Sequence, residues 1–178
     1  MLNRLLHPAL SIKVCCLTLL LTPLCALADK DDFKQPLEVM AENQSADGIE
    51  KSGFYRGNVH ITQGSLVIDA DEVDVIAKDG PGSEVFIARG KPASYQQKAD
   101  DGSIIKAIAN EIRYTLGDRV LTLKENAEFH QKSSMVKAEF IEFDMENEQF
   151  KAKGGNDDDG RTITIYQPDT QEKQDGNP

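Results

Sequence analysis

The feature that most constrains this chain is an apolar pattern that changes face in mid-strand and does so again at set intervals. In YRGNVHITQGSLVIDADEVDV (Tyr55 to Val75), Ile68 and Ala70 share one parity while Val73 and Val75 share the other. Strand side chains alternate with period two, so a straight strand would turn half of these apolar groups into water. The chain has to bend or bulge between Ala70 and Val73. Shifting the sequence by 68 positions lays Asn58 to Val75 on NAEFHQKSSMVKAEFIEF (Asn126 to Phe143) without a gap. Asn58 falls on Asn126, Gln63 on Gln131, Ser65 on Ser133 and Ala70 on Ala138. A third copy, KPASYQQ, an insertion and IKAIANEIRY, puts Ala109-Asn110 at the switch, and a truncated fourth, PLEVMAEN, puts Ala41-Glu42 there. The alanines at 41, 70, 109 and 138 are thus 29, 39 and 29 residues apart. A period in this range marks a supersecondary unit that buries its apolar face only by stacking on its neighbours.

Within each copy valine, isoleucine, threonine, phenylalanine and tyrosine dominate, and turn residues interrupt every six to ten positions, as at Arg56-Gly57-Asn58, Gly117-Asp118 and Lys153-Gly154-Gly155. No window carries a capped 3.6-residue stripe, apart from a short turn expected near Asp29 to Lys34, so the fold reads as nearly all β. The alanine-acid pair reads as a repeated corner, where a small side chain permits close approach. Its acid reads as a hydrogen-bonding partner of the bent backbone; one copy has Asn110 there, and an amide does not replace a general acid.

Residues 1–28 have the layout of a secretory leader: Arg4, His7 and Lys13, an apolar run through Val14 to Leu21, then Ala26-Leu27-Ala28. The run is too short to span a bilayer. Cys15, Cys16 and Cys25 all lie within residues 1–28, so a chain starting at Asp29 has no disulfide or thiolate site. Lipidation of Cys25 is disfavoured by the bulky Leu24. Without Arg4 and Lys13, 18 basic residues stand against 30 acidic ones, a formal charge of about −12 that would repel nucleic acid. No P-loop, dinucleotide fingerprint or H-E-x-x-H occurs. His60 and His130 read as solvent-facing strand residues, and the NDDDG run (Asn156 to Gly160) as a solvated turn, since it lacks calcium-loop spacing. Domain organisation is therefore a leader over 1–28, one β-domain over 29–166 and a polar tail over 167–178.

The segments QPLEVMAENQSAD, FYRGNVHITQGSLVIDADEVDV and GKPASYQQ, with the aligned later copies, resemble the OstA-like family of periplasmic lipopolysaccharide-transport bridge proteins, from Pro36 to about Tyr166. The resemblance implies a twisted, slightly open β-jellyroll whose apolar interior shelters the acyl chains of lipopolysaccharide. It implies a location in the periplasm between the inner and outer membranes. It also implies head-to-tail assembly with its own copies, with an inner-membrane-anchored jellyroll at the N-terminal edge and with the outer-membrane translocon's jellyroll at the C-terminal edge. No cofactor, metal or catalytic group is expected. The seventeen residues expected to line the interior are Leu37, Val39, Ile61, Leu66, Ile68, Val73, Val75, Phe86, Tyr95, Ile112, Tyr114, Leu116, Leu121, Leu123, Phe129, Ile141 and Phe143. Two arrangements satisfy them equally, a groove lined for acyl chains or a closed core. The expected edge strands are Leu37 to Ala41, through Leu37, Val39 and Ala41, and Arg161 to Tyr166, through Arg161, Ile163 and Ile165; neither carries the inward charges or prolines that blunt an edge. A structural or adhesive β-repeat protein is the alternative function; an enzyme lacks convergent catalytic groups.

Overall fold

A computed structural model describes residues 32–77, 80–155 and 160–167. The leader, residues 156–159 of the acidic turn and the tail beyond 167 lie outside them. Among the described residues a single 3₁₀ turn, Asp32–Lys34, falls in the stretch expected to hold one, and every other regular element is a strand. The strands are β1 (Glu38–Met40), β2 (Asn43–Asp47), β3 (Ser52–Gln63), β4 (Leu66–Ile76), β5 (Val85–Lys98), β6 (Ile104–Thr115), β7 (Val120–Gln131), β8 (Ser134–Asp144), β9 (Gln149–Lys153) and β10 (Ile163–Tyr166). They form one antiparallel sheet in the order β1-β3-β4-β5-β6-β7-β8-β10, with β2 also beside β3 and β9 also beside β8. The 68-residue repeat is structural: it carries the bounds of β3 onto β7 and of β4 onto β8.

The face switch is a crease running across the whole sheet. Register shifts occur between Arg56 and Val59, Asp69 and Glu72, Arg89 and Ala93, Ile108 and Glu111, and Lys124 and Ala127, one per neighbouring pair from β3 to β8. β4 and β6 cross it on Ala70-Asp71 and Ala109-Asn110, and β8 on Ala138-Glu139, each slipping its buried parity by one. In β6 the buried set runs Ile105, Ala107, Ala109 and then Ile112, Tyr114. Between them, β3 and β7 cross on residue pairs with left-handed backbone, Gly57-Asn58 (φ 81° and 45°) and Glu125-Asn126 (φ 63° and 55°), and β7 keeps one parity from Leu121 to Phe129. Glycine and asparagine are the residues that adopt this region most readily. Ala41-Glu42 interrupts the N-terminal edge at the same line, so the first strand, expected to run unbroken from Leu37 to Ala41, is β1 and continues past the crease as β2.

Beyond the crease the two half-sheets face one another. The first half-sheet has β1 and β10 at its edges, the second β2 and β9. Tyr95, on the first, meets Tyr114, on the second, with ring centroids 5.8 Å apart; Phe129 and Phe143 meet likewise at 5.0 Å. Where the halves converge only small side chains fit, and Ala93 pairs with Ala109 and Ala127 with Ala138, the first three almost wholly buried. The result is the expected twisted, slightly open β-jellyroll, made by folding one sheet over.

On the outer surface beside the crease, register partners on successive strands alternate in charge. Arg56 meets Glu72 at 2.6 Å, Glu72 lies 3.8 Å from Arg89, Arg89 meets Glu111 at 3.0 Å, and Glu111 meets Lys124 at 2.9 Å. Asp74 adds a contact to Arg89 at 2.8 Å. Directly opposite charged pairs of this kind favour one register over its neighbours.

Candidate functional site

The interior between the half-sheets is the candidate site. Of the residues expected to line it, Ile61, Leu66, Ile68, Val73, Phe86, Tyr95, Ile112, Tyr114, Leu121, Leu123, Phe129, Ile141 and Phe143 are all buried in one cluster. Val39, Val75 and Leu116 are partly buried against it. Leu37 departs from the expectation: it precedes β1 and is 40% exposed, because the edge strand begins only at Glu38. Val59, Ala88, Ile105 and the crease alanines join the lining and were missing from the expected set. Their parity marks them inward only after the crease is placed on every strand.

At roughly 4.8 Å per strand the six long strands extend this interior over about 24 Å. Its rim differs along its length. Toward β10 it opens as a cleft of about 270 Å³ between β9 and β10, walled by Phe129, Val136, Phe143, Phe150 and Tyr166, with Gln131, Lys132, Ser134 and Glu148 at its mouth. Thr164 and Tyr166 line this cleft, whereas Ile163 lies in a groove on the outside of the crease with Arg161. The alternation of the last strand puts Ile163 and Ile165 on one face and Thr164 and Tyr166 on the other without saying which is inward. The strand also starts at Ile163, later than the expected Arg161.

Along the rim opposite the crease, over β3 to β5, the interior closes on a polar chain. The Tyr95 hydroxyl donates to Gln97 Oε1, and Gln97 Nε2 donates to Asp32 Oδ2 at 3.0 Å. Asp32 Oδ1 accepts from the Ser65 amide at 2.9 Å and Oδ2 accepts from the Ser65 hydroxyl. Burial opposes charge on Asp32, yet these hydrogen bonds and the field of Arg119 hold its carboxyl below the usual range. Burial pushes the phenols of Tyr95 and Tyr114 well above theirs, so both remain neutral. The Tyr114 hydroxyl is buried without an acceptor. Gln63 and Gln97, only 6% and 5% exposed, sit at inward parity and were the sequence signal for this polar rim.

At two of the four switch positions, Glu42 and Asn110, the side chain bonds to another side chain rather than to the bent backbone. Glu42 accepts from the Asn58 amide, and the Asn110 amide donates to Glu125 at 3.3 Å. They tie one strand's corner to the next strand's left-handed pair. A Cβ on Gly57 would lie 2.5 Å from Glu42 Oε2, which explains that glycine by close approach as well as by φ. His60 lies 2.6 Å from Asp69 and His130 lies 3.5 Å from Glu128, both on the outer surface. The edges are β1 and β2, which pair only with β3, and β9 and β10, which pair only with β8.

Comparison with known proteins completes the description. The family model described as LptA/(LptD N-terminal domain) LPS transport protein matches residues 38–149. The lipopolysaccharide export system protein LptA of Haemophilus influenzae is 35% identical over 150 residues, covering 83% of this chain and 87% of that protein. LptA of Escherichia coli K12 is 31% identical over 148 residues, 83% and 78% of the two chains. The crystal structure of LptH, described as the LptA-homologous periplasmic component of the lipopolysaccharide transport device of Pseudomonas aeruginosa, superposes with a TM-score of 0.70 at 28% identity, covering 77% of this chain and 99% of that one.

Proposed function

The chain belongs to the LptA/(LptD N-terminal domain) LPS transport protein family, and on that premise we propose that it carries lipopolysaccharide across the periplasm, with the acyl chains sheltered between its half-sheets. The observation that carries this reading is the unbroken apolar lining from Ile61 to Phe143, open to solvent at the β9–β10 cleft. Each acyl chain of about a dozen methylenes costs on the order of 10 kcal/mol to expose to water at roughly 0.8 per CH₂, so a carrier needs a continuous lining of this kind. The chain is not an enzyme: its relatives are transport proteins, and its role is passive conduction, the driving energy coming from an inner-membrane partner.

The same reading makes β1 and β2 the edge that meets the inner-membrane jellyroll, and β9 and β10 the edge that meets the outer-membrane one or the next copy. These unlike edges support heterologous, head-to-tail contacts that do not close into a ring. Photoreactive residues at Val39, Tyr114 and Phe143 should each crosslink to lipopolysaccharide in cells. Absence of lipid at all three positions, in protein that folds and reaches the periplasm, would refute the proposal. An adhesive β-repeat protein, by contrast, would retain no amphiphile through purification.

A further inference from the structure

The segment from Asp32 to Gln35 holds no strand, yet it is tied to the fold at both ends. Asp32 takes the Ser65 amide and hydroxyl and the Gln97 amide, and the Gln35 carbonyl accepts from Gln63 Nε2 at 3.2 Å. Gly64 lets it sit this close: a Cβ there would fall 2.3 Å from Asp32 Oδ1. Ser65 and Gln97 belong to the rim of the first half-sheet. The rim of the second half-sheet reaches the same place: Arg119, in the β6–β7 turn, acts on the Asp32 charge, and Met145 Sδ lies 3.6 Å from the Tyr95 hydroxyl. Both rims therefore meet under this segment over the middle strands of the sheet, while at the β10 end they stay apart around the open cleft.

We propose that Asp32 to Gln35 is a latch over the mouth of the interior, and that it must lift before an acyl chain can reach the Tyr95–Tyr114 pair. The proposal rests on the lipid-carrying reading for its ligand class. Tyr95 and Tyr114 are 1% and 0% exposed in the latched state, so nothing the size of an acyl chain reaches them without a rim moving. The cleft is the standing opening and the latch guards the middle of the interior.

The test uses a chain with a single tryptophan, Phe86→Trp, since the sequence has none; Phe86 stacks on Tyr114. Energy transfer from this tryptophan to N-phenyl-1-naphthylamine, followed by stopped flow, reports arrival of an apolar probe at the guarded Tyr95–Tyr114 pair. Asp32→Ala and Gly64→Ala are each expected to speed that arrival about tenfold. Asp101→Ala, which breaks the Lys132 contact at the open end, should leave it unchanged. Gly64→Ala is expected to fold, because the equivalent turn of the repeat carries Lys132 at φ 53°. Rates within twofold of the parent in both latch variants would overturn the proposal. In the unmutated chain, loading with lipopolysaccharide should speed hydrogen exchange of the Ser65 amide, and unchanged protection in the loaded protein would also overturn it. Copurifying lipopolysaccharide is scored separately: its absence refutes the carrier reading, while the naphthylamine rates still decide the latch.

Discussion

Arg89 is the centre of the charge row on the outer crease, and its replacement by methionine isolates that row from packing, because methionine retains an apolar stem. The guanidinium contacts Asp74 at 2.8 Å and Glu111 at 3.0 Å, with Glu72 at 3.8 Å. Its side chain is 37% exposed, so each close pair contributes about 0.5–1 kcal/mol after solvent screening. Removing the cation also leaves three carboxylates, Glu72 and Asp74 on β4 and Glu111 on β6, facing one another across β5, which adds about 0.5 kcal/mol of repulsion. Arg89→Met should therefore cost about 2 kcal/mol at low ionic strength and roughly half that in 1 M salt, where the screening length falls to about 3 Å. Hydrogen bonds from Lys124 and then Arg89 outweigh burial and hold the Glu111 carboxyl below its ordinary value. A depressed folded-state value contributes stability that is present above the unfolded value and lost as pH falls through the folded one. The gap between parent and variant should thus be full at pH 7 and shrink once pH drops below about 4.3, the ordinary glutamate value. Urea unfolding at pH 7 in 0.05 and 1 M sodium chloride, repeated at pH 3.5, measures all three quantities. A cost under 0.5 kcal/mol at low salt, or one indifferent to salt, would refute the reasoning.

Tyr114→Asp or Ile68→Asp places an unpaired carboxylate among residues that are 0% and 1% exposed; lipopolysaccharide binding should fall at least tenfold in pull-down, and unchanged binding by a folded variant would remove these positions from the lining. Deleting Arg161 to Pro178 removes β10, and sedimentation velocity should then show concentration-dependent association abolished while binding around Tyr114 persists; deleting only Thr170 to Pro178 should alter neither, and undiminished oligomers after the longer deletion would place the contact elsewhere.

The crease was legible because a parity slip leaves a mark in the sequence: no straight strand satisfies Ile68 and Val73 together. The interior followed from it, and thirteen of the seventeen expected lining residues are buried. Leu37 and the facing of β10 were not legible, for a common reason. At a sheet end there is one neighbour instead of two, and the cleft is wet enough for Thr164 and Tyr166 to line it while the two isoleucines lie 53% and 42% exposed. Alternation there fixes two faces without saying which is inward. The charge row was hidden differently. Its partners stand 13 to 22 residues apart, and they meet only once the register of every hairpin, crease included, is known. Asp32 lies in a stretch with no period at all, so nothing in the sequence ties it to Ser65 or Gln97.

These gaps fall where the repeat stops. A hairpin duplicated at 68 residues makes the middle of the sheet nearly symmetric: β3–β4 and β7–β8 share bounds, crease and left-handed pairs. A stack of translated units already has unlike ends, and here the ends differ beyond that. What breaks the symmetry is unrepeated sequence: a latch segment before β1 whose carboxylate needs Gly64 beneath it, against a Lys132 turn and an open cleft at the other end. Gly64 and Lys132 occupy equivalent turns, yet a side chain is excluded at the first and tolerated at the second. On the reading proposed here, direction is set by that difference: latched toward the edge where lipid is received from the inner membrane, open where it is passed on.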